Sequence, residues 1–131
     1  MTINGFTSGL NGEMDWMTWN WDDQLNQYVQ ELTDSVDCIL FTKNFAQGFI
    51  AWWAKIAADP QHEEYASGVQ FTKLRKVVFS EPFDGVEGTH TEFNQGDLLE
   101  EINRLKQQEG KDMIVYGGEE FVSTLIEYGL I

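Results

Sequence analysis

The chain has 131 residues, 42% of them apolar and 14% aromatic, a length for one domain and a composition that excludes a disordered chain. A single cysteine, Cys38, excludes a disulfide framework, and one Cys with two His excludes a zinc-finger type of site. Eight Lys and Arg against 22 Asp and Glu leave a net charge of −14, which excludes nucleic acid and anionic membrane surfaces as partners.

The opening MTINGFTSG has neither a basic nor an apolar leader segment, and no run reaches the roughly 18 apolar residues of a membrane span. The expectation is a cytoplasmic protein. Residues 1–42 hold seven acids and no base. Leu25, Tyr28, Val29 and Leu32 recur at i, i+3, i+4 and i+7, predicting an amphipathic helix from Asp22 to about Asp34. Val36 to Phe41 is a short apolar run and reads as a buried strand. Asn44 to Ala57, with Phe45, Phe49, Trp52, Trp53 and Ile56, reads as a helix. AADPQHEEYASG around Pro60 reads as an exposed loop, and Lys76 to Ser80 as a strand. A turn-rich connection around Pro82 and Gly85 and an edge strand follow. Asp97 to Gln108 predicts a helix with Asp97 as its N-cap and Gly110 as its stop signal. Met113 to Tyr116 reads as a buried strand running into Gly117-Gly118 and a last helix with Phe121, Val122, Leu125 and Ile126.

Continuous apolar strands alternating with helices predict an α/β fold with a mainly parallel sheet covered on both faces. Such sheets bind ligands beyond the carboxyl ends of their strands. The GxGxxG, GxxxxGK[ST] and GxSxG motifs are absent, His62-Glu63-Glu64 lacks a second His, and the acids have no EF-hand spacing. Gly117-Gly118 is either a phosphate-binding turn at a helix N-terminus or a plain tight turn. Thr42-Lys43-Asn44 offers a hydroxyl, an ammonium and a helix start, or simply a capped helix. Ser80, with Lys73, Arg75 and Lys76 close by in sequence, suits a terminal phosphate or is a solvated basic edge. Asp15 lies among Met14, Trp16, Met17, Trp19 and Trp21, either as a carboxyl perturbed by apolar neighbours or as a cap beside core tryptophans. His62 and His90 read as surface residues, and Cys38 as an inert buried one.

The segments TINGFTSGLNGEMDWM, SVDCILFTKNFAQGF, KVVFS and DLLEEINRLKQQEGKDMIVYGGEEFVSTLIEYGLI resemble, in that order, the dihydrofolate-reductase-like family that includes the reductase domain of the riboflavin-biosynthesis deaminase/reductase. The last is the most specific, because helix, Gly-Lys-Asp, strand, Tyr-Gly-Gly and helix recur in register. The resemblance implies a three-layer αβα fold over residues 1–131 as a single domain. The family's sheet has a first strand ahead of the match to Thr2 and further strands after the match to Ile131, so the resemblance also implies a domain truncated at both ends, with its N-terminal strand and C-terminal strands missing. It implies NADPH as cofactor, bound through Thr42, Lys43, Asn44, Phe79, Ser80, Tyr116, Gly117, Gly118 and Glu119, with the adenosine near Phe79-Ser80. Asn4, Gly5 and Trp16 would bind a small heterocyclic substrate, pteridine- or pyrimidine-like, and Asp15 would be the catalytic residue. No metal is implied.

The chain departs from the family where Thr42-Lys43 replaces Gly-Arg, Asn4-Gly5 replaces Asp-Gly, and Glu119-Glu120 replaces small or hydroxyl residues. The sequence thus supports two functions: a 5-amino-6-(5-phosphoribosylamino)uracil reductase-like or dihydrofolate reductase-like enzyme, or a non-catalytic binding relative. An unrelated flavodoxin-like domain ranks last. A sheet ending near Met113–Tyr116 would expose a strand edge, which predicts a homodimer.

Overall fold

A computed structural model describes residues 20–131 and, ahead of them, Gly9, Glu13 and Asp15. Its contacts divide the chain into two compact units, Met1–Asp34 and Ser35–Ile131. The described part of the first is mainly helix α1 (Asp23–Asp34), whose first turn is capped by the Asp22 carboxylate accepting the Leu25 N–H at 2.8 Å.

The second unit holds β1 (Val36–Thr42), α2 (Lys43–Ala57), α3 (Tyr65–Lys73), β2 (Arg75–Phe79), β3 (Thr91–Asn94), α4 (Leu98–Lys106), β4 (Asp112–Tyr116) and α5 (Glu119–Glu127). The four strands form one sheet in the order β3-β2-β1-β4, every pairing parallel. Central β1 is apolar on both sides. Cys38 and Leu40 face a core with Val77, Ile102, Leu105 and Leu125, so α4 and α5 cover that side. Ile39 and Phe41 face Val78, Ala46, Ile50 and Phe71, so α2 and α3 cover the other. This is the expected three-layer α/β architecture. The edge strand expected after the Pro82 turn is β3.

Helix α3 begins inside the predicted loop and continues through Lys73, where the sequence predicts no element. Its only buried residues are Gly68 and Phe71, too few to write a stripe through a polar segment that follows Pro60. Close approach to α2 holds it instead. A Cβ at Gly68 would stand 2.7 Å from Ile56 Cγ2 and 2.9 Å from the Ala57 nitrogen, which is backbone and cannot swing aside. Gly68→Ala is therefore expected to destabilise the protein by about 1–3 kcal/mol in urea unfolding. An unchanged midpoint would show that α2 and α3 can separate freely.

Asp97 caps α4 as expected, its carboxylate accepting the Glu100 N–H at 2.9 Å. Gly110 has a different role from the predicted stop. The helix ends at Lys106, and Gly110 makes room for the Asp37 carboxylate, which a Cβ would meet at 2.6 Å. That carboxylate accepts the Lys111 N–H at 2.7 Å and ties the start of β4 to β1. Among the described residues β4 has β1 as its single neighbour, so its other backbone edge is open. No helix among the described residues is long and apolar enough to cross a membrane.

Candidate functional site

All four strands are parallel, so their carboxyl ends share one edge of the sheet. The pairing register sets Thr42 opposite Phe79, Phe41 opposite Tyr116, and Phe79 opposite Asn94. After β1 the chain moves to β2 on one side. It later returns to place β4 on the other side of β1. The strand order therefore reverses between β1 and β4, and the crevice that opens at such a reversal is where parallel sheets bind ligands.

The helices leaving β1 and β4 lie on opposite faces of the sheet, and their N-termini flank this crevice. Phe45, in the first turn of α2, is the neighbour of Gly118 across it: a Cβ on Gly118 would lie 3.7 Å from the Phe45 ring. Gly117 lets the Phe121 ring lie against the backbone, since a Cβ there would clash with it at 2.5 Å. Phe121 in turn packs on Phe79, with ring centroids 5.6 Å apart. On the other face Tyr116 packs against Phe41 and Phe49 at 5.8 and 5.5 Å, and burial pushes its phenol above the usual range.

Helices α1 and α4 carry aspartate caps. The two helices at the crevice do not: neither Thr42 nor Gly118 provides a side-chain acceptor for the first-turn amides. Helix α3 also lacks such a cap, but it begins in the 58–64 loop rather than at a strand end. Two N-termini without side-chain caps beside one crevice present first-turn N–H groups and the positive ends of two helix dipoles, a setting that suits an anion.

The structure thus brings together Thr42, Lys43, Asn44, Phe79, Ser80, Tyr116, Gly117, Gly118 and Glu119 along one edge. It does not bring Lys73, Arg75 and Lys76 to Ser80. Lys73 ends α3, and Arg75 and Lys76 open β2, about 15 Å of strand away from Ser80. Arg75 is bonded to Glu92 through Nε at 2.8 Å and Nη2 at 2.9 Å. Lys76 is buried, its ammonium donating to the carbonyls of Thr72, Leu74 and Thr89. Proximity in sequence hid the length of the strand between them. Asn4, Gly5 and Trp16 lie outside the described residues. Asp15 is described, in the first unit, and its side chain is exposed rather than enclosed.

Sequence reasoning passed over two residues at this edge. One is Phe45, described above. The other is Glu81, whose Oε1 accepts from Lys43 Nζ at 2.9 Å. That hydrogen bond, and then the ammonium charge, hold the Glu81 carboxyl below its usual range. Its position directly after Ser80 at a strand end was the available signal.

A family model described as the RibD C-terminal domain matches residues 1–131, the whole chain. The chain belongs to the RibD C-terminal domain family. It is also 30% identical over 135 residues to an uncharacterized protein, YyaP, of Bacillus subtilis (strain 168), covering 100% of this chain. It spans 66% of that relative's length. Membership in the RibD C-terminal domain family makes this a dihydrofolate-reductase-like domain of the reductase type, in agreement with the parallel sheet and its two helical layers.

Reductase domains of this kind imply a nicotinamide dinucleotide. The backbone at the crevice fits its diphosphate: two uncapped helix starts, one opened by Gly118, whose missing Cβ leaves the gap to the Phe45 ring unfilled. Charge opposes the fit in part. Glu119 and Glu120 lie exposed in the first turn of α5 with no ion-pair partner among the described residues. The residues therefore fit the group, with a penalty from two carboxylates. No cluster of His, Cys, Asp or Glu among the described residues could hold a metal ion.

Proposed function

We propose that this chain is an NADPH-dependent reductase of the dihydrofolate reductase and riboflavin-biosynthesis type, acting on a pteridine- or (ribosylamino)pyrimidine-like substrate. The observation that carries this reading is the pair of uncapped helix N-termini at the β1/β4 reversal. Bound there, the dinucleotide supplies hydride. The first-turn amides of α2 and α5 hold its diphosphate, and Thr42, Lys43 and Asn44 line the approach from the β1 side. Phe79 and Ser80 support the adenosine half. Tyr116, Gly117, Gly118 and Glu119 form the β4 wall. Asp15, with Asn4, Gly5 and Trp16, is assigned to substrate and proton delivery on the family resemblance alone. The open edge of β4, together with the exposed apolar side chains Ile126, Tyr128 and Ile131, supports pairing with a second copy.

Titration with NADPH, followed by nicotinamide fluorescence, tests the reading. Saturable binding is expected, and none at millimolar cofactor overturns it. A second reading, a non-catalytic binding relative, is favoured by Glu119-Glu120. The two readings separate in the double variant Glu119→Ala, Glu120→Ser. If the carboxylates merely weaken a working site, removing them should tighten NADPH about 10- to 100-fold by relieving like-charge repulsion. If the site has been abandoned, the variant stays unresponsive.

A further inference from the structure

The eight Lys and Arg residues all fall among the described residues, and they are sorted by edge. Lys55, Lys73, Arg104 and Lys106 lie in the last turns of their helices. Arg75 and Lys76 open β2, and Lys111 directly precedes β4. Lys43, at the first position of α2, is the one base at the carboxyl ends of the strands. It is already engaged, because Glu81 takes its ammonium at 2.9 Å.

This pair stands at a particular place. β2 is the strand beside β1 on the side away from β4, so a dinucleotide lying along the carboxyl edge with its diphosphate between α2 and α5 would bring one nucleoside over the end of β2. In nucleotide-binding parallel sheets, a carboxylate in this region accepts ribose hydroxyls and a base there takes a 2′-phosphate. Here both groups are present and bonded to each other. Glu81 is largely exposed, its side chain at 72%, and Lys43 partly so at 38%, so the pair contributes little to folding and an incoming phosphate can displace the carboxylate. Displacement leaves the Glu81 carboxylate beside the new anion.

We propose that Glu81 is a specificity-determining residue of this cleft: by pairing with Lys43 it competes with the 2′-phosphate that distinguishes NADPH from NADH, and so narrows the preference between them. The proposal rests on the dinucleotide reading above. Lys43 provides the attraction for the phosphate. Glu81 sets how much of that attraction is left.

The test is equilibrium binding to the full chain. NADPH and NADH are followed by nicotinamide fluorescence, and 2′,5′-ADP and 5′-ADP by calorimetry. Glu81→Gln should raise the NADPH-to-NADH affinity ratio about tenfold, with a gain that shrinks as salt is added. Lys43→Met should bring the ratio to one or below. Both positions are at the surface, and thermal unfolding of each variant checks that the fold is retained. Nucleotides that bind with a ratio unmoved by Glu81→Gln overturn the role given to Glu81 and leave the dinucleotide reading standing. No binding of any of the four nucleotides, by wild type or variants, overturns the dinucleotide reading and this proposal with it.

Discussion

Phe41→Ala is expected to cost about 3–5 kcal/mol of folding stability, the range for removing a fully buried aromatic ring. Phe41 is 0% exposed on the central strand. Its ring lies 5.0 Å from Phe49 of α2 and 5.8 Å from Tyr116 of β4, so one side chain ties the central strand to the helix on one face and to the neighbouring strand. The aromatic cluster continues through Phe49 to Phe71 and Trp53, at 5.2 and 6.1 Å, and a cavity at its centre cannot be filled without moving several rings. Phe41 also immediately precedes Thr42 at the crevice, so the loss should loosen the site as well. Urea unfolding measures the first effect, and a loss under about 1 kcal/mol would contradict the packing. Phe41→Leu keeps most of the volume and should cost less than half as much.

The parts of this fold that were legible in the sequence are those whose apolar residues repeat with a clear period. Cys38 to Phe41 are buried on both faces of the sheet, so the mostly apolar run Val36–Phe41 identified the strand despite the exposed Asp37. Helix α4 carries Leu98, Leu99, Ile102 and Leu105 on one stripe and an aspartate cap at its start. Helix α3 was not legible, because its determinant is an absence, the missing Cβ of Gly68 against Ala57. The site shows the same division. Strand ends followed by helix starts could be read from Thr42-Lys43-Asn44 and Tyr116-Gly117-Gly118. That they belong to adjacent strands on the two sides of a chain reversal required the strand order. The Lys43–Glu81 pair joins residues 38 positions apart, and no local pattern announces it.

The basic cluster is the clearest case of sequence proximity misleading. Arg75 and Lys76 are near Ser80 in sequence, but a parallel strand separates its two ends chemically as well as spatially. One end meets helix C-termini, where cations are stabilised by the dipole, and the other meets helix N-termini, where anions are. Lys73, Arg104 and Lys106 all occupy last turns. The fold has thus gathered its few bases where the helix dipoles favour them. The carboxyl edge is left to attract an anion by backbone amides, with one lysine.

Lys76 gives the last prediction, a pH dependence with an unusual sign. Its ammonium is buried at 1% exposure and bonded to three carbonyls, and burial lowers its pKa from 10.5 to about 8. Below pH 8 the ammonium is charged in the folded and the unfolded chain, and the burial penalty is present in full. Between pH 8 and 10.5 the folded chain has released the proton and the unfolded chain still holds it, so stability rises with pH. Cys38, the thiol whose charge acts on Lys76, opposes this. Burial raises its thiol from 9.0 to about 11, so from pH 9 upward the unfolded chain ionises first and stability falls. Tyr116, also raised by burial, adds to the fall above pH 10. The expected profile is therefore a gain of roughly 1 kcal/mol between pH 8 and 9, followed by a plateau and then a decline. Urea midpoints taken at each pH read it directly. Cys38→Ala should let the rise continue beyond pH 9, whereas Lys76→Met should remove the rise and leave only the decline. If Lys76→Met keeps the gain between pH 8 and 9, the buried ammonium is not its source. Differences between the variants cancel the general repulsion of so acidic a chain, which all of them share.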